Sequence, residues 1–151
     1  MSGAILAAFA WMACASCADP AAEPASAAAL SALVLPHVER IARFDRWAHR
    51  VASASGAWRS RSALEETAFS QVRGDDEVLA AWIEHPGEPV LAHPPGMALP
   101  DASLRALQVG ALGHCEVARA RIELDGAPTE VLFVVVEHDG LRTMLALART
   151  P

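Results

Sequence analysis

Histidine and cysteine are the side chains of this sequence best suited to chemistry, and their spacing favours no catalytic or metal site. His85, His93, His114 and His138 stand apart from one another, without the paired spacing of a zinc-binding helix. His114 and Cys115 are adjacent, so on a strand they point to opposite faces and cannot act together as base and nucleophile. We expect Cys115 to be a small buried hydrophobe and most of the histidines to lie in turns or at the surface.

Motifs that mark common catalytic sites are also missing from the sequence. It holds no phosphate-binding glycine loop, no Gly-x-Ser-x-Gly elbow and no spaced carboxylate cluster. We therefore predict a protein that is not an enzyme, with no catalytic residues, no metal ligands and no cofactor.

Cys14 and Cys17 form a Cys-x-x-Cys pair, a spacing used in redox and zinc sites. Zinc needs further ligands at matching spacing, and haem attachment needs a histidine where Ala18 stands. The pair instead closes an uncharged apolar run (AILAAFAWMACAS, residues 4–16), which is about as long as the hydrophobic region of a signal peptide. We interpret both as leader cysteines.

Residues 1–18 are accordingly predicted to be a signal peptide or a lipoprotein leader. Cleavage before Asp19 would follow small residues, whereas Cys17 could carry a lipid, although the usual leucine three residues upstream is missing. The first three residues carry no arginine or lysine, so a longer membrane anchor and a buried N-terminal helix stay open as alternatives. We expect an exported protein, periplasmic or membrane-anchored through the leader, with a cytoplasmic location as the alternative.

The charge balance argues against nucleic-acid binding. The formal net charge is −6, and the 12 basic residues, all arginine, form no basic stripe. The absence of lysine, tyrosine and asparagine indicates a biased composition, and the arginines need no phosphate partner to explain them. Residues 19–32 are rich in alanine, proline and serine, which is typical of a tether, and residues 33–151 are expected to form a single domain.

Two helices are predicted at the start of this domain. Apolar residues recur at helical spacing over residues 34–51, while four arginines fall off that stripe. The stripe could face a core or the same surface of a second copy in a homodimer. A shorter helix is expected to follow over residues 58–72, ending at Gly74.

The second half of the domain favours strands. Apolar runs or apolar–polar alternation occur over residues 77–84, 89–93, 115–124, 131–136 and 141–148. The last run also permits a terminal helix. Asp101 is a suitable N-cap for a short helix over residues 101–107. Short turns make neighbouring strands antiparallel, so we predict an α+β fold with N-terminal helices packed on a five-stranded antiparallel sheet.

This arrangement resembles the PAS-like extracytoplasmic sensors called Cache domains. The run Gly87-Glu88-Pro89-Val90-Leu91-Ala92-His93-Pro94 is similar to the second strand of that family, and residues 121–128 (RIELDGAP) resemble its later hairpin. The resemblance covers residues 37–148. It implies a PAS-like strand-strand-helix-strand-strand-strand order. Family members usually lie between two membrane helices, so a stand-alone binder or a receptor fragment is implied here.

A ligand site of such a sensor is expected between the sheet and the segment that covers it. Arg119 and Arg121 share one strand face and could clamp a carboxylate. Trp58, Trp82 and His93 could line an apolar wall of the same pocket. Each of these residues also has an ordinary structural explanation, as solvated surface or core.

The function favoured by these observations is non-catalytic, extracytoplasmic sensing of a small ligand such as a carboxylate, linked to signal transduction. One alternative is a dimerising interaction scaffold of roadblock or profilin-like type, since these folds share the strand order. The other is a structural envelope protein anchored by a lipid on Cys17.

Overall fold

The computed structural model describes residues 26–55 and 61–149 as three layers, with an antiparallel sheet in the middle. Helices cover one face of the sheet, and a loop crosses the other. The predicted leader (residues 1–18) and Trp58 lie outside the described residues. None of the described helices is long and apolar enough to span a membrane.

Helix α1 (Ala27–Val34) begins inside the segment predicted to be a tether. Ser26 caps it, because its side-chain oxygen accepts a hydrogen bond from the Ala29 N–H at 3.2 Å. A single turn of 3-10 helix (Leu35–His37) follows. Pro36 lies in this turn, and a proline cannot donate the hydrogen bond that a continuous α-helix needs. The helical period predicted from residue 34 onward is therefore divided between two helices.

Helix α2 (Val38–Ser55) has the amphipathic pattern that the sequence predicts. Its apolar stripe, including Ile41, Phe44 and Ala48, is buried in the helix-side core, whereas Arg43 and Arg46 are exposed. The stripe thus packs inside its own domain. Helix α3 (Arg61–Phe69) extends the same layer, and the ring of Phe69 stacks near Phe44 with a centroid distance of 6.4 Å.

The sheet has six strands, one more than predicted, in the order β2-β1-β6-β5-β4-β3 with every neighbouring pair antiparallel. The strands are β1 (Val78–Glu84), β2 (Leu91–His93), β3 (Arg105–Gln108), β4 (His114–Leu124), β5 (Ala127–His138) and β6 (Leu141–Ala148). The run at residues 141–148 is thus a strand, as favoured over a helix. It lies at the centre of the sheet, between β1 and β5.

Two Asp-Gly turns join the last three strands. Asp125 and Gly126 have φ of 52° and 77°, and Asp139 and Gly140 have φ of 50° and 79°. Two consecutive residues with positive φ define the type I′ turn, whose twist matches that of the strands it connects. In the sequence, Ala127-Pro128 after the first Asp-Gly pair predicts a longer loop. That prediction is wrong, because both residues belong to β5 and pair with Leu124 and Glu123.

The short helix predicted over residues 101–107 is not formed. Residues 105–108 are instead β3, which pairs with β4 through partners such as Leu107 and Cys115. Between β2 and β3, at opposite edges of the sheet, lie five strand-to-strand steps, or about 24 Å at about 4.8 Å a step. Residues 94–104 connect these edges, and a helix would shorten their reach to about 1.5 Å a residue. Strand pairing at the far edge therefore overrides the local helical pattern.

Residues 94–104, here called the crossing segment, pack on the sheet face opposite the helices. Met97, Ala102 and Leu104 contact a second core there, which includes Trp82, Ile122 and Phe133. Alternation along each strand divides side chains between the two cores: on β1, Ala81 and Ile83 face the helices, and Ala80 and Trp82 face the crossing segment. This explains why β1, β5 and β6 appear in the sequence as continuous apolar runs.

Candidate functional site

The crossing segment is held to the sheet by Trp82. The indole Nε1–H of Trp82 donates a hydrogen bond of 3.0 Å to the carbonyl oxygen of Met97, and its ring meets Phe133 edge-to-face at 5.7 Å. Trp82 itself is fully buried. A ligand at the surface would contact the crossing segment, which lies over Trp82. Trp82 therefore supports this segment and does not itself contact such a ligand.

Two grooves run along the crossing segment, one on each side. The larger, of about 490 Å³, lies between the segment and the β4–β5 hairpin. The smaller, of about 290 Å³, lies on the side of β2 and reaches Glu65 of α3. Both are open to solvent, and residues 95–99 line both of them. Leu99 borders both grooves and is 39% exposed.

The larger groove combines an apolar floor with charged groups of both signs. Met97, Leu99 and Ile122 supply the apolar surface, whereas Asp101, Arg121 and Glu123 supply charge. The lining is divided about equally between polar and apolar atoms, so a small ligand could contact both kinds of surface. A small zwitterion would find a cationic and an anionic partner there.

Arg119 and Arg121 share a face of β4, as the alternation predicts, but they line different spaces. Arg121 borders the larger groove, and its guanidinium lies 3.4 Å from Glu130. Arg119 borders a cavity of about 10 Å³ on the helix side, beside His37 and Arg149, which is about the space one water molecule needs. Among the described residues the two arginines do not converge on a single carboxylate clamp.

Glu130 is the partner that Arg121 and Arg149 share. It accepts a hydrogen bond from Arg149 as well as from Arg121. The Arg149 hydrogen bond, followed by the Arg121 hydrogen bond, holds the pKa of Glu130 below its usual value. Arg121 and Glu130 are cross-strand partners on the helix side of the β4–β5 hairpin, whereas Ile122, the next residue, faces the crossing segment.

Trp82 and His93 do not form one pocket wall, because they lie on opposite faces of the sheet. Trp82 pairs with Ala92, while His93 pairs with Ala81 and stacks on Phe69 at 5.6 Å. Burial, assisted by the positive charge of Arg73, lowers the pKa of His93. His93 is thus part of the contact between α3 and β2, away from the grooves.

A polar cluster around the buried His37 joins the helices to the start of β1, and the sequence did not predict it. The side chain of His37 is 4% exposed, and its Nδ1 lies 2.8 Å from Arg40, which also binds Asp75 at 2.5 Å and Glu77 at 2.9 Å. Burial, and then the charge of Arg40, lowers the pKa of His37. His37 and Arg40 are three residues apart, a spacing that brings side chains together on a helix, so their contact could have been predicted. Nothing in the sequence identifies Asp75 and Glu77 as their acidic partners.

A second group of polar residues lies where α2 meets the β5–β6 turn. His49 of α2 lies beside His138 at the end of β5, with ring centroids 4.5 Å apart. Asp139 of the turn lies close to both. His138 is isolated in the sequence, as predicted, but not in space. These three residues are the ones among the described residues that could hold a metal ion.

The remaining predicted residues follow the alternation of β4. Cys115 is buried in the helix-side core and His114 is exposed, so the two cannot react together. Burial raises the pKa of the Cys115 thiol, which disfavours the reactive thiolate.

No protein-family model matches this chain, and no curated protein or solved structure is significantly similar to it. The geometry of the described residues must therefore support any functional conclusion.

Proposed function

We propose that this domain is a non-catalytic binding module that senses a small molecule in the larger groove beside the crossing segment. The observation that carries the proposal is the groove itself. It has about 490 Å³ of space, an exposed apolar residue at Leu99 and charged groups at its rim, and pockets for small ligands occupy about 300–1,000 Å³.

The strand order supports the same proposal. Without β3, the remaining five strands run β2-β1-β6-β5-β4, so the first and last of the five are neighbours at the centre. This is compatible with the PAS-like resemblance, in which the ligand would lie between the sheet and the segment linking its second and third strands. The crossing segment occupies that place. The proposal includes export, for which the apolar run at residues 4–16 is the supporting feature. It also includes a link to signal transduction, which the PAS-like resemblance implies.

The ligand class follows from the charges. Arg121 is largely exposed, and its contact with Glu130 at 3.4 Å is long for a hydrogen bond. Its guanidinium lies beside Glu130 on the helix side of the hairpin, so binding a ligand carboxylate in the groove requires the side chain to swing around the hairpin edge. Asp101 and Glu123 border the same groove and would attract an ammonium group. An amino acid with an apolar side chain, placed against Leu99, fits all three features.

The proposal is tested by the melting temperature of the protein in the presence of single amino acids and small carboxylic acids. A ligand at about 100 times its Kd adds about 2.7 kcal/mol, which raises the melting temperature of a domain of this size by about 10 °C. We expect the response to be lost in Leu99→Asp and Arg121→Gln.

Leu35→Asp is the matched control, because Leu35 is also a large exposed hydrophobic residue but lies on the helix layer. It should retain the ligand response. No response across the whole panel would contradict the proposal, and a tight dimer in solution would then favour the interaction scaffold. That dimer would need a surface other than the apolar stripe of α2, since Ile41, Phe44 and Ala48 are already buried.

A further inference from the structure

We propose that His49, His138 and Asp139 form a binding site for a divalent transition-metal ion of the zinc class, joining α2 to the β5–β6 turn. This site is independent of the groove proposed for the small ligand. His49 lies on the helix layer and the other two residues lie at the end of a hairpin, so tertiary folding alone brings them together.

The distances are close to those of a metal site. The Nε2 of His49 lies 3.8 Å from the Oδ2 of Asp139, and the Nδ1 of His138 lies 3.9 Å from the same oxygen. One ligand atom from each residue lies within 4.8 Å of the other two. Ligand atoms around a tetrahedral zinc ion, at about 2.0–2.1 Å from the metal, are about 3.3 Å apart. Small rotations of the three side chains would bring their ligand atoms to this spacing.

The backbone around these residues is well fixed, while the side chains keep freedom to adjust. Ala48, next to His49, is buried, and Asp45 one turn earlier accepts a hydrogen bond of 2.7 Å from Thr143 of β6. Asp139 occupies the first position of the type I′ turn, and His138 pairs with Leu141. The side chains of His49, His138 and Asp139 are 29%, 56% and 75% exposed, so they can move without disturbing a core.

The chemistry of the donors selects the class of ion. Two imidazoles and one carboxylate suit zinc, nickel, cobalt or copper, whereas magnesium and calcium prefer oxygen ligands alone. Three protein ligands leave at least one coordination position for water. A metal ion here would also fasten the end of α2 to the sheet, because its ligands come from both layers.

The experiment is a calorimetric titration of the untagged full chain with zinc chloride, with magnesium chloride as the comparison ion. We expect one zinc per chain, a higher melting temperature with zinc and no response to magnesium. His49→Gln and His138→Gln should each weaken zinc binding at least about 10-fold. Asp139→Asn should do so as well, while keeping the turn, because Asn-Gly also favours type I′.

Two controls separate this site from other zinc ligands in the chain. His114→Gln removes an exposed histidine outside the site and should bind zinc as the original chain does. A chain with Cys14→Ser and Cys17→Ser should also retain the site. The proposal is wrong if the original chain binds no zinc, if binding survives His49→Gln and His138→Gln, or if replacing the two cysteines abolishes it.

Discussion

At the scale of single residues, the polar groups within the folded layers have the clearest consequences. Thr143 is buried, yet its hydroxyl donates to Asp45 of α2 at 2.7 Å and approaches the carbonyl oxygen of Val136 at 3.3 Å. A buried hydroxyl needs such partners, because burial without a hydrogen bond is costly. Thr143 therefore fixes α2 on the sheet as well as filling space.

Thr143→Val should lower the free energy of unfolding by about 1–3 kcal/mol, because the Asp45 carboxylate loses a donor within a partly buried contact. Urea unfolding at neutral pH measures the effect. Thr129→Val is the matched control, since Thr129 makes only a local contact of 3.4 Å with Ala127, and it should change stability by less than about 0.5 kcal/mol. Equal losses in both variants would contradict this role for Thr143.

His37 should make stability depend on pH. Its pKa lies below the ordinary value of 6.5 in the folded protein, so the unfolded chain binds more protons once the pH falls below 6.5. Protons then favour unfolding, and stability should decrease as the pH falls from about 7 toward the lowered pKa. Well above pH 7 the effect is absent, because the histidine is neutral in both states.

Urea unfolding between pH 7.5 and 5.5 should therefore show a shallower decrease for His37→Asn than for the original chain. Asparagine can still accept the Arg40 hydrogen bond and does not titrate. The lowered pKa of His93 leaves a residual slope of the same sign. His114→Asn, at an exposed position, should behave as the original chain does; an unchanged slope in His37→Asn would refute the assignment.

At the scale of elements, the hairpins show how local chemistry determines strand register. Leu124 pairs with Ala127 and His138 with Leu141, so each turn has two residues and the pairing of β4, β5 and β6 follows from their positions. Asp-Gly pairs favour tight turns, so the sequence indicates both turns. It does not give the loop lengths, because a proline directly after an Asp-Gly pair favours a longer loop, whereas Pro128 lies within β5.

Gly126→Ala should destabilise the protein by about 1–2 kcal/mol, because an L-residue with a side chain is strained at a positive φ, which is 77° here. Nothing lies within 4 Å of the added methyl group, so packing does not add to the cost. Asp125→Asn is the control and should be neutral or slightly stabilising, because Asn-Gly suits the same turn. Thermal unfolding compares the two, and a neutral Gly126→Ala would contradict the turn assignment.

The sequence predicted elements best where period and tertiary environment agree. The apolar period of α2 and the alternation of β4 were sufficient to place buried and exposed side chains correctly. The segment at residues 101–107 failed because its helical pattern competes with pairing to β4, which is a long-range contact invisible in local sequence. A sixth strand, β3, was missed for the same reason.

At the scale of the whole molecule, one sheet separates two cores and belongs to both. Helices cover one face and the crossing segment covers the other, so β1, β5 and β6 are buried on both sides. Neither covering layer has a core without the sheet. We therefore expect the domain to unfold in a single cooperative transition.

Cooperativity can be measured with Trp82 as a reporter of the crossing-segment side. In a variant with Trp11, Trp47 and Trp58 replaced by phenylalanine, Trp82 emission follows that side, while far-ultraviolet circular dichroism follows the helices. The two urea transitions should have the same midpoint. Separate midpoints would show that the crossing segment leaves the sheet before the helices unfold.

The candidate sites belong to this scale too, which is why the sequence predicted them poorly. The larger groove exists because the crossing segment passes the β4–β5 hairpin, and Arg121 borders it while Arg119 does not. His49 and His138 meet only after α2 lies on the sheet. Spacing along the chain carries no signal for such contacts.

The position of β6 has a consequence for how the protein is made. The six strands leave the ribosome in chain order, and β6 is the last of them, although it lies between β1 and β5. Until it emerges, both of those strands expose an unpaired backbone edge, which is a template for aggregation. The nascent chain can form helices and hairpins early, but the middle of its sheet can close only when synthesis has passed residue 148.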